Sequence, residues 1–269
     1  MNARLLFAAS ALPPNEARVV LALLCSSTRR ARQVTPYERT RNRLKQRFKG
    51  ALVRVLKFAK HETLRKLHRY MFSARPLQAQ DAGLDHPDAV RITFDREQLR
   101  QDLLQMLQVQ LPGAVQMVAN ETLAAIGYRD PWLMPAQETL DLIAMRQNLI
   151  TGVSDEIFGD VQREISEGLN AGESLDQIAK RISSTFNAFT EARAELIADT
   201  ETSAAYGFAG QAAARAAGVQ YKQWIHAGLP LVPREDHLAI DGLIVPIDEP
   251  YPVGDPPLMY PHDPDGSAE

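Results

Sequence analysis

TEARAELIADTETSAAYGFAGQAAARAAG, residues 190–218, is rich in alanine, free of proline and closed by Gly218. Alanine loses no side-chain freedom in a helix, and a terminal glycine is the usual left-handed cap. The stretch therefore predicts the longest helix of the chain, from about Thr190 to Ala217. Upstream, Ser174 and Gln177 form a capping box for a helix carrying Leu175, Ile178, Ile182 and Phe186, and Gly172 ends the helix before it. That earlier helix reads from Ser154 as N-cap, with Asp155 and Glu156 in its first turn and Ile157, Val161, Ile165 and Leu169 spaced four apart. Downstream, Val219–Ile225 and Leu243–Ile247 predict two strands flanking a loop with Pro230, Pro233 and Asp241-Gly242. Repeated prolines from Pro250 onward predict an extended tail packed on a neighbour's surface. The fold class is mainly α: a helical bundle-like body and a small α+β C-terminal unit with that proline-rich tail.

The rest of the chain is read from charge and periodicity. Residues 29–75 hold 16 Lys or Arg against Glu38 and Glu62, a net of +14, whereas residues 76–269 hold 12 basic and 30 acidic residues, a net of −18. Such a division predicts different partners for the two parts. From Pro36 to Met71 the basic segment reads as a helical arm, with Leu44, Phe48, Leu52, Val55, Leu56, Leu64 and Leu67 on one face. Ser73–Pro87 reads as a linker, and Val90–Phe94 alternates as a short strand does, a loop remaining the alternative. Asp95 and Gln98 cap the next helix, which carries Leu99, Leu103, Met106 and Leu107 and is expected to break or kink at Pro112-Gly113. Helices from Val115 to Ile126 and from about Pro135 to Ile150 follow. The resulting division is an N-terminal segment 1–28, a basic arm 29–75, a helical domain 76–190 and a C-terminal unit 191–269. Cys25, the single cysteine, has no internal disulfide partner, as in a reducing cytoplasm. The apolar run Leu5–Leu12 stops at Pro13-Pro14, and Val19–Leu24 is far short of the ~20 residues needed to span a bilayer, so no membrane partner is expected.

The order Arg193 to Glu201, then Gly218, Trp224, His237, Asp241-Gly242 and Tyr260-Pro261-His262-Asp263-Pro264 resembles the C-terminal region of the phage Mu F-like head-morphogenesis (minor head) proteins. The resemblance covers about residues 140–269. It implies a minor head protein of a tailed phage or phage-like particle, made in the bacterial cytoplasm and held in the virion head interior near the portal vertex. The implied partners are the portal protein and, more distantly, scaffold or major capsid protein. The structural motif residues it carries over are Arg193, Thr200, Glu201, Trp224, His237, Asp241 and Gly242. Where the family has Arg-Thr-Glu this chain has Asp199-Thr200-Glu201, which removes the expected arginine from that turn. In the family a Cys-x-Cys element follows the Tyr-Pro segment, and with the histidine it implies a metal-stabilised fold. No such cysteines stand here, so the C-terminal unit reads as incomplete at its end; His237 and Asp241 alone fall short of the four ligands of a structural zinc.

Candidate chemistry is sparse. Glu201 reads as a buried structural carboxylate on its helix, since no second carboxylate or nucleophile stands at a spacing that would make it a general base. Gly168–Ser174 reads as a plain helix reversal, because caps explain its residues. His61-Glu62-Thr63-Leu64-Arg65 fails as a zincin helix, as Arg65 occupies the second histidine position. No dinucleotide fingerprint, phosphate loop or nucleophile elbow is present, so no catalytic residue, metal or cofactor is expected. The basic segment is read as a contact for double-stranded DNA through Arg29, Arg30, Arg32, Arg39, Arg41, Arg43, Lys45, Arg47, Lys49, Arg54, Lys57, Lys60, Arg65, Lys66 and Arg69. Its few aromatics favour phosphate neutralisation over base stacking. Two other classes stay open: a metal-dependent enzyme or toxin-like domain delivered with DNA, using His237, Asp241 and Glu201, and a plain non-specific DNA-binding protein.

Overall fold

The computed structural model describes residues 3–9, 19–25, 36–73, 93–128, 130–133, 136–225 and 234–263. Its elements are β1 (Ala3–Ala9), β2 (Val19–Cys25), α1 (Pro36–Ser73), α2 (Arg96–Ala125), α3 (Ala136–Met145), α4 (Gln147–Asn170), α5 (Leu175–Ala216), β3 (Tyr221–Ile225), α6 (Glu235–Ala239) and β4 (Ile244–Pro246). Helix dominates, as the sequence predicts. The linker expected at 74–87, the loop with Pro230 and Pro233, and residues 90–92 of the possible strand lie outside the described residues; Phe94 belongs to no strand. Among the described residues, no helix is long and apolar enough to cross a membrane.

The chain divides into two compact units, one built from residues 1–46, 110–145 and 199–269, the other from 47–109 and 146–198. Among its described residues the second unit holds helices and no strand. Phe48, Leu52 and Leu56 of α1, Leu99, Leu103 and Leu107 of α2, Ile157, Val161 and Ile165 of α4, and Ile178, Ile182 and Phe186 of α5 are buried, which is the periodicity read from the sequence. Phe94 fixes the centre, its ring 5.8 Å from Phe158 and 6.1 Å from Phe186. Asp95 caps α2 by accepting from the Gln98 backbone N–H at 2.9 Å. The reversal between α4 and α5 is closed on both sides. Gly172 has φ +66°, the Glu173 N–H donates to Gly168 O at 2.9 Å, and the Ser174 N–H donates to the Gln177 side chain at 2.7 Å.

Several expected breaks do not occur. Pro112 sits inside α2, which continues without interruption, because Leu111, Ala114, Val115 and Val118 are buried around it and outweigh the one backbone bond proline forgoes. Ser154 is no N-cap: it lies inside α4, wholly buried, with its hydroxyl donating to Thr151 O at 2.9 Å. A serine that bonds back to the preceding turn is compatible with a helix interior, and buried Ile150 and Val153 extend the apolar face ahead of it. The helix expected over 135–150 is accordingly divided at Arg146. The two helices expected over 175–217 are a single one, α5; Thr190 donates to Phe186 O at 2.7 Å, and buried Phe186 and Phe189 carry the face across the junction.

In the first unit β1 to β4 form a sheet in chain order, β1–β2 and β3–β4 antiparallel and β2–β3 parallel, with Val20 opposite Tyr221 and Tyr221 opposite Pro246. The sequence showed only the last two strands. Gly218, at φ +76°, ends α5, the Val219 N–H donating to Ala214 O at 3.0 Å. Tyr251, Val253, Leu258 and Tyr260 are buried, and a bridge joins Tyr251 to Leu258. The expected tail on a neighbour's surface is therefore corrected for residues 250–263: prolines prevent regular structure there, but the apolar residues between them pack on Trp224 and α5 of the same unit.

Candidate functional site

Trp224, His237 and Asp241-Gly242 come together in the first unit. Trp224, on β3, is buried, with His237 of α6 edge-on at 5.3 Å and Tyr251 at 5.0 Å. Asp241-Gly242 forms the turn beneath it: Gly242 has φ +80°, its N–H donates to Trp224 O at 2.8 Å, and the Trp224 N–H donates to Leu243 O at 2.9 Å. His237 is thus half-buried against an indole. Among the described residues no group of three or more His, Cys, Asp or Glu is arranged to hold a metal. Lys222, which the sequence reading overlooked, is fully buried beside this cluster, donates to Met259 O at 2.8 Å and lies 5.1 Å from the Tyr251 ring centre. Burial, helped by Arg215 and opposed by Asp248, Asp263 and Glu249, pushes its ammonium down to about 8. Burial raises the Tyr251 phenol.

Glu201 is buried, as expected. Thr200 is half-buried, and Arg193 is exposed with an ion pair to Glu156 at 2.7 Å. The departure at Asp199 has a partner in space. Arg41, itself buried, donates to Asp199 at 2.7 Å and to Ser203 at 3.1 Å, and Lys45 joins Asp199 at 3.2 Å. Burial opposes ionisation of Asp199, but Arg41 and Lys45 together hold its carboxyl below the usual range. His262 has a left-handed backbone at φ +63°; burial pushes it down to about 4, with Arg41 and His237 adding to the shift and Asp199 opposing it. Glu121 is raised by burial, against hydrogen bonds from Tyr206 and Thr40.

The cations of α1 fall into two sets. Besides Arg41 and Lys45, Lys49 pairs with Glu195 at 2.8 Å, Lys60 donates to Asn187 at 3.0 Å, and Lys66 lies 3.7 Å from Asp95. Arg39, Arg43, Arg47, Arg54, Lys57, Arg65 and Arg69 are exposed, and Arg65 bonds Glu62 in both carboxylate oxygens at 3.1 Å. Arg29, Arg30 and Arg32 lie outside the described residues. Acids for Arg41, Lys45, Lys49 and Lys66 come from Asp199 and Glu195 of α5 and from Asp95 just ahead of α2.

Residues 159–261 match the family model described as Phage Mu protein F like protein, so this part of the chain is similar to that family. No curated protein and no solved structure matches the chain. The matched span runs from within α4 to Pro261 and takes in Glu201, Trp224, His237, Asp241 and Gly242.

Proposed function

We propose that this protein is a head-morphogenesis protein of a tailed phage or phage-like particle, a minor component of the virion head that acts without catalysis at the portal vertex and contacts packaged double-stranded DNA. The observation that carries this reading is the family match over 159–261, within which Trp224 packs in a core cluster with Tyr251, Val253 and Leu258. Trp224, His237 and the Asp241-Gly242 turn hold one another in place, the arrangement of a packing element. The +14 segment supports the DNA contact, and the net of −18 over the remainder favours a protein surface, that of the portal, for the other contact.

Particles produced without the protein provide the test. Heads lacking it are expected to fail in assembly or DNA retention, and the full chain is expected to co-purify with the portal protein. Normal, infectious particles without it, and no association with the portal, would refute the proposal. Nuclease, protease or transferase turnover that disappeared in a folded His237→Ala or Glu201→Ala variant would return the enzymatic reading.

A further inference from the structure

At 3.6 residues per turn, Arg47, Arg54, Lys57, Arg65 and Arg69 fall on one arc of α1 about 120° wide, and all five are exposed. The opposite side carries Phe48, Leu52, Leu56 and Leu67, all buried. The cations flanking that buried side, Lys49, Lys60 and Lys66, are tied to Glu195, Asn187 and Asp95. Those three are held by other helices or loops of the same unit, whereas the exposed arc faces outward, Arg65 in it sharing the Glu62 carboxylate of its own helix. From Arg47 to Arg69 the exposed stripe runs about 33 Å at 1.5 Å per residue, close to the ~34 Å of one turn of duplex DNA.

We infer that this outward stripe docks the phosphate backbone of double-stranded DNA without reading sequence, while the inward lysines take no part; the inference rests on the reading that the protein contacts packaged DNA. The chemistry favours this occupant. Protein–protein interfaces centre on a desolvated apolar or aromatic core, whereas between Arg47 and Arg69 the exposed arc carries five cations, His61 and His68 around a single large apolar side chain, Phe58. Single-stranded nucleic acid is gripped by successive aromatic platforms, and one phenyl ring does not supply them. A row of guanidinium and ammonium groups on one helix suits a polyanion with one charge per ~1.7 Å of axis.

The test uses the full chain and a random-sequence duplex of about one to two helical turns, its binding followed by fluorescence anisotropy across a salt series. The triple variant Arg54→Gln, Lys57→Gln, Arg69→Gln is expected to bind at least tenfold more weakly near 0.15 M salt, with the log–log salt slope reduced by about 2.7 for three lost phosphate contacts. Arg47→Gln with Arg65→Gln should weaken binding in the same manner, and Lys49→Gln should leave it within twofold; circular dichroism checks that each variant is folded. Undiminished binding by both folded stripe variants, with the unsubstituted chain bound, overturns the stripe assignment and leaves the DNA reading standing. No binding by the unsubstituted chain overturns the DNA reading itself. Equal or tighter binding to single-stranded DNA or polyglutamate overturns the choice of duplex.

Discussion

Deleting residues 250–269 distinguishes a core segment from a docking tail. Tyr251, Val253, Leu258 and Tyr260 are buried at relative exposures of 0%, 4%, 9% and 6%. At about 1.5–3 kcal/mol for each fully buried large side chain, their removal forfeits roughly 6–12 kcal/mol, an upper bound because unfolded chains already bury some of this surface. That loss is as large as the ~5–15 kcal/mol by which most domains are stable. The deletion also uncovers Trp224 and strands the buried Lys222 ammonium without the Met259 carbonyl. The 1–249 chain is therefore expected to lose cooperative unfolding of its C-terminal part. In a Trp132→Phe background, where Trp224 is the only indole, its emission should shift to the red and proteases should cut after β3. If 1–249 unfolds at the full-length denaturant midpoint with buried-type Trp224 emission, the packing argument is wrong.

Asp199→Asn removes the carboxylate that Arg41 and Lys45 share, and a charge-assisted hydrogen bond of this kind contributes about 1.5–3 kcal/mol; urea unfolding should show a loss of that order, and a loss under about 0.5 kcal/mol would contradict the pairing. A Cβ at position 207 would lie 2.5 Å from the Tyr260 ring and 2.6 Å from Pro261 O. Gly207→Ala should thus destabilise by about 1–2 kcal/mol despite alanine's better helix propensity, whereas Gly113→Ala, where a Cβ meets nothing within 4 Å, should be neutral or stabilising; equal thermal midpoints for the two would refute the contact. His262 has a folded value of about 4, below its ordinary 6.5, so the unfolded state binds more protons between those values and stability falls as pH drops through that window. His262→Gln should flatten this part of the stability–pH curve, and an unchanged slope would remove His262 from the account.

Period and caps made much of the helical fold legible. The Ser174–Gln177 box, Gly172 and Gly218 act locally, so their chemistry is written within a few residues. Breakers misled because their cost is local and their compensation is not: Pro112 and Ser154 stay helical since distant side chains bury the faces on either side. The two N-terminal strands, whose apolar runs the sequence reading weighed only against signal and membrane segments, pair with each other and, through β2, with β3. Distance along the chain is what kept the cations of α1 undivided in the sequence. Arg41 and Asp199 are 158 positions apart, and nothing near either announces the other. The tail was misjudged by attending to its prolines rather than to the tyrosines and leucine between them.

That separation bears on how the protein comes into being. When α1 leaves the ribosome, Asp199 and Glu195 have not been made. At about 5–20 residues per second the wait from Ser73 to Asp199 lasts roughly 6–25 s. Throughout it, Arg41, Lys45 and Lys49 add their charges to those of the outward stripe, and the nascent chain is a polycation, whereas the finished protein carries a formal net charge of −3. Until α5 is made, the excess of cations over acids is the state of the chain best suited to non-specific polyanion binding.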